Sequence, residues 1–195
     1  MSFHVKTKFI VGLTGSMLSG KSTALGYFKQ GGADTISCDD IARELYTSPA
    51  VLKKINAVLG TADKKEIAAQ VFKNAAKRKK LEQILHPLIL KEVKRQISQC
   101  SQRLVIVEVP LLFEVGWAQF TDLNVAVLAD PKTLPARLKG RKLSRAEYER
   151  RTAHQWPDVQ KAARADVVFF HATKAQLEQR VRRFCHAFNL LHVTK

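Results

Sequence analysis

The sequence is short of several features, and each shortage excludes something. It has three cysteines, Cys38, Cys100 and Cys185. They are odd in number and far apart, so they build neither a disulfide framework nor a zinc pattern, and a reducing compartment follows. The N-terminal MSFHVKTK runs into an apolar stretch of only five residues, too short for a signal segment or a membrane span. The expectation is a cytoplasmic protein that does not engage a membrane. Six prolines and nine glycines leave no room for a long disordered linker, and there is no repeat or low-complexity tract. Acidic residues are scarce: 17 Asp and Glu stand against 33 Lys and Arg, a net charge of +16. Such a balance attracts polyanions, whether nucleic acid or multiply phosphorylated small molecules. The 195 residues, 46% of them hydrophobic, suffice for a sizeable core and one domain with insertions.

What is present centres on Gly15, Ser16, Met17, Leu18, Ser19, Gly20, Lys21, Ser22 and Thr23, which read G-x-x-x-x-G-K-S, the phosphate-binding P-loop. Gly15 and Gly20 let the backbone turn tightly and present its N–H groups to phosphate oxygens. Lys21 is a point charge for the β- and γ-phosphates, and the Ser22 hydroxyl is a Mg²⁺ ligand. Phe9–Leu13 predicts a buried strand and 20–30 a helix, so the loop precedes a helix N-terminus, where aligned peptide dipoles favour an anion.

Further along, 34–37 predicts a short second strand. Asp39 opens a helix with Ile41, Ala42 and Leu45 on its apolar face. Asp39 is either that helix's N-cap or a carboxylate at the ligand-binding edge of the sheet, able to take a proton from a substrate hydroxyl. Residues 48–101 have helical periodicity and no strand. Val51, Leu52, Ile55, Val58 and Leu59 form one face, and His86-Pro87 marks a break, with Pro87 in the first turn of a new helix. Lys64-Lys65 and 77–80 (KRKK) are either solvated helix faces or a polyanion site, and His86 is either structural or catalytic. The run 104–109 (LVIVEV) is a strand leading into Pro110-Leu111-Leu112-Phe113-Glu114. Glu108 falls within that strand, so the Asp that often helps hold Mg²⁺ after it is not clearly supplied, and Asp39 is a candidate to share that role.

A fourth strand is expected at 123–129 and a fifth at 165–170. Between them 137–151 (RLKGRKLSRAEYERR) carries seven basic residues, with Ser144 and Glu147 as a capping box. It is either an exposed basic helix pair or a lid whose arginines clamp a transferring phosphoryl group. Thr173 caps a last helix with Leu177, Val181, Phe184, Phe188 and Leu191 on one face.

The motifs LTGSMLSGKST, CDDIARELY, HPLI, EVPLLFE and QWPDVQKAARADVV, in this order over nearly the whole chain, resemble the dephospho-CoA kinase family. The resemblance implies an α/β P-loop kinase fold. Its five-stranded parallel sheet has order 2-3-1-4-5 and helices on both faces. The core is 1–47, 102–136 and 159–195, with a helical CoA-binding insertion at 48–101 and an Arg-rich lid at 137–158. The implied reaction moves the ATP γ-phosphoryl group to the ribose 3′-hydroxyl of dephospho-CoA, with Mg²⁺. Asp39 would be the base, with Lys21, Arg137 and Arg141 also catalytic. Arg43, His86, Pro110, Leu111, Leu112 and Glu114 would lie on the substrate side, and His171 with the ATP. The expected partners are these two small molecules, with no specific nucleic acid, for a monomer or weak homo-oligomer. The chain departs from the family pattern at Ser37, where the family has an Asp, at His171, where it has an Asn near the adenine, at Thr173, where it has a Gly, and in a contracted stretch that leaves Asp63-Lys64. At this stage another small-molecule kinase and a basic nucleic-acid-binding ATPase remain alternatives.

Overall fold

The structure, a computed structural model, describes residues 8–192. Residues 1–7, on which the reading of MSFHVKTK rests, lie outside the described residues. The near-continuous apolar runs become strands, as expected where both faces of a sheet are covered. They are β1 (Phe9–Thr14), β2 (Asp34–Ser37), β3 (Leu104–Glu108), β4 (Leu123–Ala129) and β5 (Val167–His171), in the order β2-β3-β1-β4-β5. β1 runs parallel to β3 and β4, and β4 to β5. The expected order is therefore the observed one. β5 sits at the edge and alternates: Phe169 and His171 are buried, while Val168 and Phe170 are exposed.

The chain forms two compact units. One runs up to Ile36 and resumes at Cys100; the other is Ser37–Gln99. In the first, α1 (Lys21–Gln30) and α9 (Lys174–His192) pack against each other. Their core joins Val11, Leu13, Ile106, Val125 and Val127 of the strands to Ala24, Phe28, Leu177 and Val181 of the helices. Phe28 has no exposed surface and lies 6.2 Å from the Phe169 ring and 5.5 Å, edge-on, from that of Phe184. Thr173 caps α9 by accepting from Gln176 N–H. Leu191, expected on the buried face, is exposed, because α9 runs past Phe188, where Phe9 closes the core. The unit also holds α6 (Leu134–Gly140), α7 (Arg145–Thr152) and α8 (Asp158–Arg164). Ser144 caps α7 by accepting from Glu147 N–H, while the Glu147 carboxylate pairs with Arg151.

The second unit comprises α2 (Cys38–Leu45), α3 (Pro49–Leu59), α4 (Lys64–Lys73) and α5 (Ala75–Gln99). Two expectations need correction here. The first is that Asp39 does not cap α2. Ser37 does, its Oγ accepting from Asp40 N–H at 3.3 Å; the cap lies two residues earlier than expected, and serine caps as well as aspartate. The second is that His86-Pro87 breaks nothing, since α5 runs on through Pro87. Proline inside a helix costs about 3 kcal/mol. Leu81, Leu85, Ile89 and Val93, spaced by four, are all buried against the neighbouring helices and outweigh that cost. Pro87 itself is exposed, so water can satisfy the carbonyl its ring deprives. Val58, placed on α3's apolar face, is exposed, and Val51, Ile55 and Leu59 carry the packing.

Phe28 links the core to the helix that carries the loop. Phe28→Ala is expected to lower unfolding free energy by about 3–5 kcal/mol, measured by urea denaturation. A change below about 1 kcal/mol would show that the ring cluster collapses to fill the space.

Candidate active site

The loop from Gly15 to Gly20 joins β1 to α1. Gly15 has φ +147°, and a Cβ there would lie 2.3 Å from Val127 O and 2.6 Å from Ser19 Oγ. Gly20, the α1 N-cap, has φ +98°. Both are positions that only glycine fills without strain. Leu18 is also left-handed, at φ +64°.

Donors hold the loop's carbonyls. Lys21 Nζ donates to Gly15 O at 2.7 Å and Ser16 O at 3.0 Å. Arg137 Nη1, from α6, donates to Leu18 O at 2.9 Å, while its Nε donates to Thr133 Oγ1. Burial pushes the Arg137 pKa down, yet a guanidinium stays charged at neutral pH. Arg141 is exposed at the end of α6 and Thr23 half-buried in α1. Ser16 and Ser19 are buried, and Ser19 Oγ has no hydrogen-bond partner among the described residues.

Ser22 Oγ donates to Glu108 Oε1 at 3.2 Å, and Glu108 is buried at the end of β3. Glu108 thus sets a buried carboxylate against the loop serine. A hydroxyl and a carboxylate together are the hard oxygen donors that suit Mg²⁺, which takes its other ligands from phosphates and water.

Two expectations change. His171 is 2% exposed, with Nε2 2.8 Å from Ser19 O and Nδ1 3.2 Å from Thr173 O. Its ring is not open to ATP; it braces the loop from below. The larger imidazole reaches the loop backbone and so takes up its own polar atoms. Burial lowers its pKa first; the Ser19 and Thr173 carbonyls oppose this, and Arg137 and Arg180 add to it. Leu112 is fully buried and packs beside Gly12, so it belongs to the core and not to a substrate surface.

Of the other candidates, Pro110 and Leu111 are half-buried. Glu114 Oε1 accepts from Lys161 Nζ at 2.7 Å and from Trp156 N–H at 2.8 Å; its Oε2 is buried without a hydrogen-bond partner among the described residues. In the second unit, Asp39 is exposed in the first turn of α2. Arg43 pairs with Asp40 at 2.7 Å. His86 is half-buried in α5, its pKa lowered by burial against the opposing influence of Glu82. Sequence reasoning missed Gln155, Asp158 and Lys161. The motif QWPDVQK marks their segment, but only their contacts give them work: Gln155 Oε1 accepts from Met17 N–H at 3.0 Å and Asp158 Oδ1 from Ser16 Oγ.

The lowered His171 pKa has a definite sign. The folded state holds the proton less well than the unfolded chain. Its contribution to stability is therefore complete above about pH 6.5 and is lost as pH falls towards the folded-state value. His171→Asn should flatten the dependence of the thermal midpoint on pH between about 5 and 7. An unchanged slope would assign it to other groups.

Comparison with known proteins agrees with this geometry. The dephospho-CoA kinase family model matches residues 9–176. A dephospho-CoA kinase from Enterococcus faecalis is 34% identical over 188 residues, 90% of this chain and 94% of that one. One from Protochlamydia amoebophila is 35% identical over 187 residues, 88% and 92%. Among solved structures, a Thermus thermophilus protein aligns with a TM-score of 0.84 at 26% identity, covering 93% of this chain and 97% of that one. A shikimate kinase from Bacteroides thetaiotaomicron shares the fold at 16% identity, with a TM-score of 0.53 over 93% and 98% of the two chains. With its P-loop, the buried Glu108 facing Ser22 and a family match over most of its length, the chain belongs to the dephospho-CoA kinase family.

Proposed function

We propose that this protein transfers the γ-phosphoryl group of ATP to the ribose 3′-hydroxyl of dephospho-CoA, giving CoA and ADP. The observation that carries the reading is the glycine-turned loop, with Ser22 set against the buried Glu108, in a chain of this family. The loop N–H groups and Lys21 hold the ATP phosphates. Ser22 and Glu108 are the residues that would hold Mg²⁺, which when bound neutralises charge on the phosphate oxygens.

Charge spreads over the transferring oxygens, so positioning and electrostatics dominate this chemistry. Arg137, tied to Leu18 O, and the exposed Arg141 supply positive charge and exclude water. Asp39 takes the proton of the 3′-hydroxyl. Arg43, His86, Pro110 and Leu111 contribute to the dephospho-CoA side, where Glu114 has only Oε2 uncommitted.

A substrate panel tests the acceptor. Mg-ATP-dependent phosphorylation of dephospho-CoA should far exceed that of nucleoside monophosphates, shikimate or pantothenate, and equal turnover of another acceptor refutes the reading. Asp39→Asn tests the base. It leaves the Ser37 cap intact, so stability should barely change, while kcat falls by about 10²- to 10⁴-fold. Asp40→Asn, which loses the ion pair with the exposed Arg43, is the control. An equal loss in both variants, in single-turnover assays, would mean that the proton acceptor lies elsewhere.

A further inference from the structure

The two halves of the phosphate loop are held differently. The second half runs into α1 through Gly20. The first half, Ser16-Met17-Leu18, has no glycine, and locally its left-handed Leu18 is closed by one turn hydrogen bond, from Ser19 N–H to Ser16 O at 3.1 Å. Besides Arg137, two side chains far along the chain hold it. Met17 N–H donates to Gln155 Oε1 at 3.0 Å, across 138 residues. Ser16 Oγ donates to Asp158 Oδ1 at 2.5 Å, across 142 residues.

The segment bearing these acceptors is itself anchored on both sides. Trp156 N–H donates to Glu114 Oε1, and its ring stacks on Phe113. Lys161, with no exposed surface, donates to the same Glu114 oxygen at 2.7 Å and to Pro110 O at 2.9 Å. Pro110 O also accepts from Thr14 Oγ1 at 3.2 Å, and Thr14 immediately precedes Gly15. A closed path thus runs from Thr14 through Pro110 to Lys161, along α8 to Asp158 and back to Ser16. A lysine with no exposed surface is tolerated only when paired and hydrogen-bonded. Here its pairing fixes the segment that steadies the loop.

We propose that Gln155 and Asp158 are positioning residues for ATP, acting through Met17 N–H and Ser16 Oγ, with the Lys161–Glu114 pair as their footing. This deepens the reading of the loop as the ATP site and rests on it. Neither side chain needs to touch the reacting groups, since each fixes the loop that holds the phosphates. Phosphoryl transfer is sensitive to such placement: a misplacement of roughly 1 Å costs on the order of 10²-fold.

The test measures Mg-ATP affinity by calorimetry without any acceptor, together with ATP kinetics and thermal unfolding. The variants are Gln155→Ala, Gln155→Glu, Asp158→Ala, Asp158→Asn, Ser16→Ala and the Ser16→Ala/Asp158→Ala double. Each Gln155→Ala and Asp158→Ala change should lower kcat/KM for ATP by roughly 10- to 100-fold, with the unfolding midpoint nearly unchanged. Asp158→Asn keeps an acceptor for Ser16 and recovers most of the loss. Gln155→Glu keeps its acceptor but sets a negative charge beside the phosphate site, so it weakens ATP binding more than Gln155→Ala. The double variant loses no more than the worse single, as expected when one residue acts through the other. Wild-type ATP parameters in both alanine variants, additive losses in the double, or losses that follow the unfolding midpoint throughout would overturn the proposal. If the alanine variants do not fold, Gln155→Glu and Asp158→Asn carry the test through their opposite expected effects. Wild-type protein that binds no Mg-ATP would refute the ATP reading and this proposal together. A wrong acceptor would leave the binding arm intact.

Discussion

The turn from β1 into α1 has no room for a side chain at Gly15, where Val127 O of the neighbouring strand comes within 2.3 Å of an added Cβ. The rest of the site follows from holding that cramped turn open. Four of its carbonyls are engaged by donors: those of Gly15 and Ser16 by Lys21, of Leu18 by Arg137 and of Ser19 by His171. With the carbonyls tied, the N–H groups at the start of α1 are left to meet an anion, and the helix dipole adds its positive end. The loop's shape rests on contacts within the chain, so little ordering has to accompany binding.

Buried charge explains the next layer. An ionised carboxylate without partners is costly to bury, yet Glu108 and Glu114 both sit inside this unit. Glu114 is matched by Lys161 and a backbone N–H. Glu108 accepts from the Ser22 hydroxyl. The exposed arginines behave differently. Arg145, Arg151 and Arg182 pair with acids four residues away on their own helices. Exposed pairs of this kind contribute little stability. They engage three of the 17 acidic residues locally, in a chain whose net charge is +16.

The parts of the fold that depend on local spacing were legible in the sequence. The loop, the strands around it, the Ser144 and Thr173 caps and the strand order all belong to this class, the last through family resemblance. Where the sequence misled, a distant partner decided. Pro87 looked like a helix break because the pattern does not show that Leu85, Ile89 and Val93 are packed around it. Ser37 looked like a lost aspartate, although it caps α2 itself. Gln155, Asp158 and Lys161 were invisible as site residues because their partners, at Met17, Ser16, Pro110 and Glu114, lie 47 to 142 residues away.

His171 shows why position in a motif does not fix a role. The resemblance assigned it to the nucleotide because family members carry an asparagine there. A histidine in the same place is longer, and its Nε2 reaches Ser19 O while Nδ1 faces Thr173 O. Both ring nitrogens lie within hydrogen-bond distance of a carbonyl, and a neutral ring can donate to only one of them. The histidine therefore supports the loop backbone at Ser19, and its ring is occupied in keeping the loop in place.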